Sequence, residues 1–265
     1  MSSQLPPIRY NTDGTALNAD FEQAIGDNGL LDFDAMMGLD RGEVVKHAIA
    51  QRKTVVFTLR DASRAYLKRH FATGFFTALK NLLSPEPTAF DEFENIIAFL
   101  RAGLPTVVPI AAGCRRGASF LVTEALEGCM RLDDYLEQTK LAAAARAELL
   151  CRLAGLIQKM HAAGFNHRDL YLCHILRDGQ RNLYIVDLHR VQQRAAVPER
   201  WLVKDIAALN YSAPAGIISR TDRLRFLKAY LGTKRLSGRD KLFALKVLKK
   251  TQKMVEHNKR SIDSC

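Results

Sequence analysis

Apolar and polar positions divide the chain into a strand-like first half and a helical second half. From Val44 onward the pattern is β-like. Thr54–Leu59 (TVVFTL) and residues 65–69 (AYLKR) read as short strands joined by the turn Arg60-Asp61-Ala62-Ser63. Pro85 and Pro87 break the run. Thr88 then opens a helix through Arg101, with Asp91 at the spacing of a capping box and Gly103 and Pro105 closing it. Thr106–Ala111 and Ser119–Leu126 read as two further strands. A helix is expected over 141–161, because Leu149, Leu153, Leu156, Ile157 and Met160 recur at helical spacing and Gly164 stops the run. Residues 175–177 and 183–188 form a hairpin across Asp178-Gly179, and helices resume near Val203 and continue to the end. Residues 1–42, rich in Asn, Asp and Gly, show no sustained period and are expected to be an irregular or short-helical extension. The fold class this implies is α+β, with a small antiparallel sheet, one inserted helix and a mainly helical second part.

At 265 residues, with 48% apolar and 25% charged positions, the chain is long enough for one large domain or two small lobes. No apolar run of membrane-spanning length occurs, and the start MSSQLPPIRY has no secretory pattern. Five widely spaced cysteines without a CxxC argue for free thiols and a reducing compartment. The net charge of +11 is uneven: residues 1–45 carry −6 and residues 219–260 carry +11. Leu224, Leu227 and Leu231, then Phe243, Leu245, Val247 and Leu248, recur among the cations of that tail. Such an amphipathic basic surface suits an anionic partner such as a phospholipid surface or a phosphorylated glycan, or simply keeps the protein soluble. No nucleic-acid-binding signature is present.

The segment richest in chemistry is His167-Arg168-Asp169-Leu170, followed eighteen residues later by Asp187-Leu188-His189 after an apolar strand. Of two such carboxylates, one can take a proton from an alcohol and the other can hold a hard divalent cation. His161, His167, His174 and His189 match no zinc spacing.

The HRDL string with a following Asp turn resembles the protein-kinase-like superfamily. The longer string HAAGFNHRDLYLCHIL…LYIVDLHR, residues 161–190, is more specifically similar to the lipopolysaccharide core heptose kinase family of Kdo/WaaP type. In that family the HRD motif is followed by Tyr-x-Cys-His, here Tyr171 to His174, and the metal-binding Asp by Leu-His-Arg, here Leu188 to Arg190. The resemblance covers roughly residues 44–215. It implies a two-lobed kinase-like fold, with residues 1–43 as an extension, 44–124 as the N-lobe and 125–265 as the C-lobe with its basic tail. It also implies ATP and Mg²⁺ as cofactors, a lipopolysaccharide-core or lipid-linked phosphoglycan acceptor, and a cytoplasmic site of action at the inner face of the inner membrane. The oligomeric state is left open.

Site residues follow from the same resemblance. Lys68 takes the position of the strand lysine that contacts nucleotide phosphates. Its partner is expected to be Glu92, which shares a stripe with Ile96 and Phe99, rather than Glu94, which shares one with Ala98 and Arg101. Asp169 is the expected base or orienter for the acceptor hydroxyl, and Asp187 the Mg²⁺ ligand. His174 stands where protein kinases carry a metal-binding Asn. It either orients Asp169 or phosphate, or leaves a site with one well-held metal, and imidazole is a poor Mg²⁺ ligand. His167 and Asp205 are expected to support the loop structurally. Glu124 to Leu126 would link the lobes and meet adenine through the backbone. The superfamily's glycine-rich phosphate loop is not visible: the candidate turn, His47 to Lys53, has no glycine, so Arg52 and Lys53 would have to supply side-chain charge. That departure keeps open a pseudokinase that binds without catalysis, beside a kinase of the same fold acting on another hydroxyl.

Overall fold

Alternation along one strand shows how the first part of the chain is built. In the strand Arg64–His70, Ala65, Leu67 and Arg69 are buried while Tyr66, Lys68 and His70 are less so, the two-residue period of a strand covered unequally on its two faces. The computed structural model describes residues 5–49, 52–59, 62–71 and 87–263. Ala50 and Gln51 of the glycine-free turn, Arg60 and Asp61 of the first hairpin turn, Pro85 and Cys265 lie outside the described residues. Two compact units are present, residues 1–127 with 187–189, and residues 128–186 with 190–265. The division at 127/128 falls three residues beyond the 124/125 expected from sequence.

The first unit carries seven strands: β1 (Ile8–Tyr10), β2 (Thr15–Asn18), β3 (Glu43–Ile49), β4 (Arg52–Thr58), β5 (Arg64–His70), β6 (Pro109–Arg115) and β7 (Ala118–Glu124). They form one antiparallel sheet in the order β1-β2-β6-β7-β5-β4-β3. The acidic first 43 residues therefore differ from the extension expected. β2 pairs with β6, Thr15 opposite Gly113 and Leu17 opposite Ala111. The short helices α1 (Glu22–Asp27) and α2 (Phe33–Gly38) contribute Ile25, Phe33 and Met36, and the segment between them Leu30, to a core shared with Leu67, Ile110, Phe120 and Val122 of the sheet. Arg69, on the same strand face as Leu67, is buried and donates to the Met37 and Leu39 carbonyls at 2.7 and 2.8 Å, satisfying the end of α2. The third strand expected from sequence starts three residues later than read, at Pro109, and runs on to Arg115.

Helix α3 (Ala89–Arg101) starts where the capping box predicts. The Thr88 hydroxyl accepts from the Asp91 amide, and the Asp91 carboxylate accepts from the Thr88 amide at 2.6 Å. The Ala89 amide donates to the Ser119 hydroxyl of β7 at 3.0 Å, anchoring the helix start on the sheet. Glu92, Phe93, Ile96 and Phe99 are buried.

The second unit is mainly helical: α4 (Leu132–Gln138), α5 (Ala143–Ala162), α6 (Glu199–Ser212), α7 (Arg220–Tyr230) and α8 (Gly238–Asp263). Short strands β8 (Met130–Arg131), β10 (Ile175–Arg177) and β11 (Leu183–Ile185) form one small sheet, and β9 (Phe165–Asn166) pairs with β12 (Gln192–Gln193). α5 packs on α7 and α6 on α8. The buried face of α5 carries Leu149, Leu153, Ile157 and Met160. Gly164 then turns the chain at φ 87°, and a side chain there would collide with the Arg194 carbonyl, so glycine is required on both counts. The helices of this unit wall a partly open, apolar pocket of about 500 Å³, lined by Leu150, Leu153, Leu209, Phe226 and Val247 among others.

Candidate active site

Because β5 alternates, Lys68 faces away from Leu67 and Arg69 and shares its face with Tyr66 and His70. There it meets α3. The Lys68 ammonium donates to Glu92 Oε1 at 2.7 Å and to Asp187 Oδ1 at 3.3 Å. Glu92 is only 3% exposed, whereas the Asp187 carboxylate is about two-fifths open. Burial alone would lower the Lys68 pKa, but the two carboxylates outweigh it and raise it, so the ammonium stays charged. Glu94, on the other stripe of α3, accepts from the Tyr10 hydroxyl at 3.1 Å.

Asp187 has φ 61°, a left-handed conformation that costs a non-glycine residue about 1–3 kcal/mol. Its neighbours hold it in place. Asn95 of α3 donates to the Leu188 carbonyl at 2.9 Å, and a ring nitrogen of His189 lies 2.9 Å from the Pro87 carbonyl. His189 also sits edge-on to His70 at 5.6 Å. Burial lowers the His70 pKa from 6.5 to about 4, and the charges of Arg52, His189 and Lys68 add to that. Above pH 6.5 this imidazole is neutral in the folded and the unfolded chain. Between pH 6.5 and about 4 the unfolded chain takes up a proton that the fold resists, so stability falls as pH falls through that window. A His70→Asn variant is expected to lose part of this acid sensitivity. Thermal melts of both proteins from pH 7 to pH 4 check it: the gap between their melting temperatures should shift in favour of the variant on acidification, and a constant gap contradicts the assignment.

In the second unit the loop around Asp169 is fixed by a buried carboxylate from α6. Asp205, fully buried, accepts from the His167 and Arg168 amides at 2.7 Å each, and a ring nitrogen of His161 lies 3.3 Å away. Arg168 has φ 73°, so the strained residue is the one pinned. The other ring nitrogen of His161 lies 2.8 Å from the Tyr230 hydroxyl, which burial and the Asp205 charge keep protonated well above the usual range. Asp205→Ala leaves two buried amides without acceptors, each worth about 1–3 kcal/mol. The expected result is a loss of about 3 kcal/mol in urea unfolding, with Asp205→Asn milder. Amide exchange at His167 and Arg168 should accelerate in the alanine variant, and unchanged protection there contradicts this role.

His174 presents Nδ1 to the Asp169 backbone carbonyl at 2.7 Å and stacks on His167, the rings 5.8 Å apart. His167 is fully buried, with Nε2 3.1 Å from the Val186 carbonyl. The Asp169 carboxylate receives Arg190 Nη1 at 3.0 and 3.2 Å, and Lys204 Nζ lies 3.9 Å away. Neither partner was assigned a role from sequence. A signal existed for both: Arg190 closes the Asp-Leu-His-Arg string, and Lys204 stands beside Asp205. Arg52 and Lys53 open β4, opposite His70 and Arg69 of β5. The Glu124 and Ala125 amides donate to the Val108 and Arg64 carbonyls at 2.9 and 2.8 Å. Leu126 follows β7 outside regular structure. Among the described residues no cluster of three or more His, Cys, Asp or Glu side chains could hold a metal by itself.

An antiparallel sheet presenting a lysine to a helix-borne glutamate, and a helical unit whose HRD loop hangs on a buried helix aspartate, are the two halves of a protein-kinase-like phosphotransferase. Within that class the chain belongs to the lipopolysaccharide kinase (Kdo/WaaP) family, whose model matches residues 38–230. It is 35% identical over 210 residues to the lipopolysaccharide core heptose(I) kinase WaaP of Escherichia coli K12, covering 72% of this chain and 78% of that protein. To the enzyme of the same name from Pseudomonas aeruginosa PAO1 it is 36% identical over 225 residues, 77% and 81% of the two chains. The 3-deoxy-D-manno-octulosonic acid kinase of Vibrio vulnificus CMCP6 is 30% identical over 128 residues, 47% of this chain and 52% of that one.

Proposed function

We propose that this protein uses ATP and Mg²⁺ to phosphorylate a heptose hydroxyl of the lipopolysaccharide inner core. The observation that carries the reading is the Lys68 ammonium held between buried Glu92 and half-open Asp187. Glu92 fixes the lysine, so its charge is aimed without being consumed by solvent. Asp187 would offer hard carboxylate oxygen to a divalent cation. When bound, Mg-ATP supplies the phosphoryl group and neutralises the charge that develops on it. Arg52 and Lys53 add side-chain charge for the phosphates in the absence of glycine, and Leu126 borders the adenine. Asp169, held by Arg190 and Lys204 and steadied through its carbonyl by His174, orients the acceptor hydroxyl and takes its proton. His167 and Asp205 hold that loop.

The acceptor is a polyanionic amphiphile, and the last two helices suit it. Leu224, Leu242, Leu245 and Leu248 are exposed among the tail cations. No helix among the described residues is long and apolar enough to cross a membrane, so the proposed attachment is peripheral, at the anionic inner face of the inner membrane.

The test is a panel of acceptors with Mg-ATP: purified inner-core oligosaccharide, an octulosonic acid acceptor, and generic peptides. Phosphate should appear on the heptose of the first. Transfer to the octulosonic acid or to peptide instead identifies a same-fold kinase of different acceptor choice. Absence of turnover together with absence of a Mg-ATP thermal shift, where about 2.7 kcal/mol is expected at a hundredfold the dissociation constant, identifies a pseudokinase.

A further inference from the structure

Beside Asp169 lies a depression most of whose lining the transfer step does not use. Arg200, Trp201 and Lys204 of α6 and Lys246 and Lys250 of α8 wall an open depression of about 530 Å³. Positions 200 and 204, like 246 and 250, are four apart, so each helix presents its pair along one stripe. Glu199, at the rim, pairs with Lys246 at 2.5 Å. Among the described residues, Lys250 has no carboxylate partner and is half-buried. Arg200 and Lys204 lie over the Trp201 ring at 5.4 and 5.7 Å from its centre, and Arg168 at 5.3 Å. Burial lowers the Lys204 pKa, Asp169 opposes this, and the neighbouring Arg190 and Arg168 charges lower it further. Cations crowded around an aromatic ring, outnumbering the acidic Asp169, Asp205 and Glu199 beside them, make a local field that an anion relieves. Lys204 reaches both places: its ammonium lies 3.9 Å from Asp169 and beside the Trp201 ring.

We propose that this depression binds an oxyanion of the acceptor glycan, a carboxylate or phosphate on a sugar next to the one phosphorylated, with that sugar packed on the Trp201 ring. The assignment rests on the kinase reading for its acceptor, but the binding itself does not need turnover. Arg200 and Lys250 grip the anion, and Lys204 couples its position to the carboxylate that addresses the hydroxyl. A neutral oligosaccharide of the same shape would lack the grip and bind weakly.

Trp201 is the chain's single tryptophan, so its fluorescence reports on this depression alone. The probes are an octulosonic acid glycoside, the same glycoside with its carboxyl reduced to an alcohol, a hexose phosphate and the parent hexose. One or both anionic sugars should change the fluorescence saturably and in a salt-sensitive way, the neutral ones not at the same concentrations. A response to the carboxylate alone or to the phosphate alone identifies which oxyanion is read. The double variant Arg200→Ala/Lys250→Ala should weaken the response about tenfold or more, since it removes both charge-assisted contacts. With core oligosaccharide the same variant should raise acceptor KM about tenfold, leave kcat within about twofold, and keep the Mg-ATP thermal shift. Equal binding of charged and neutral sugars, or a double variant that binds and turns over like the wild type, overturns the proposal. A fluorescence response without phosphorylation of any acceptor supports this depression and contradicts the kinase reading instead.

Discussion

Asp169→Asn is expected to leave a folded protein that binds Mg-ATP normally and transfers phosphate about 10³-fold more slowly, the usual worth of a positioned general base. The amide keeps the volume of the carboxylate and can still accept from Arg190, so the loop should not collapse. What it loses is the charge that takes the hydroxyl proton. Two measurements separate these effects. The Mg-ATP thermal shift should equal that of the wild type, while single-turnover transfer to core oligosaccharide falls. A variant that turns over at the wild-type rate removes Asp169 from the chemistry.

Asp187→Ala is expected to be worse and in a different way. Lys68 keeps its bond to buried Glu92, so the sheet and α3 should hold. The hard oxygen offered to the cation is gone, however, and with it the part of ATP affinity that depends on Mg²⁺. Turnover should fall by about 10³-fold or more, and the thermal shift should become the same with and without Mg²⁺. Retention of a Mg²⁺-dependent shift contradicts the assignment. The contrast between the two aspartates is the informative result, since one substitution spares nucleotide binding and the other does not.

Local chemistry made several of these features legible in the sequence. The Thr88–Asp91 capping box marked the start of α3 because both partners lie within one turn. The choice of Glu92 over Glu94 followed from which stripe of that helix is apolar, and burial separates them in the same sense. Gly164 was readable as a helix stop because only a left-handed turn needs glycine there.

Non-local pairing explains the rest. β2 is buried along its whole length, so it shows no alternation, and its partner β6 lies almost a hundred residues away. Nothing within residues 1–43 announces that pairing. β6 starts at Pro109 and runs to Arg115 because its register is set by β7 and β2 rather than by its own apolar run. The grip of Arg190 and Lys204 on Asp169 joins three separate stretches of chain, and charge alone gives each of those cations several equally good partners.

The central claim is that this chain places a phosphate on a heptose of the lipopolysaccharide core. Mass spectrometry of core oligosaccharide tests it most directly, comparing cells that make the protein, the same cells without it, and cells carrying only Asp169→Asn. The account predicts one phosphate on a heptose in the first sample, absent from the other two. A core that is identical in all three would contradict it.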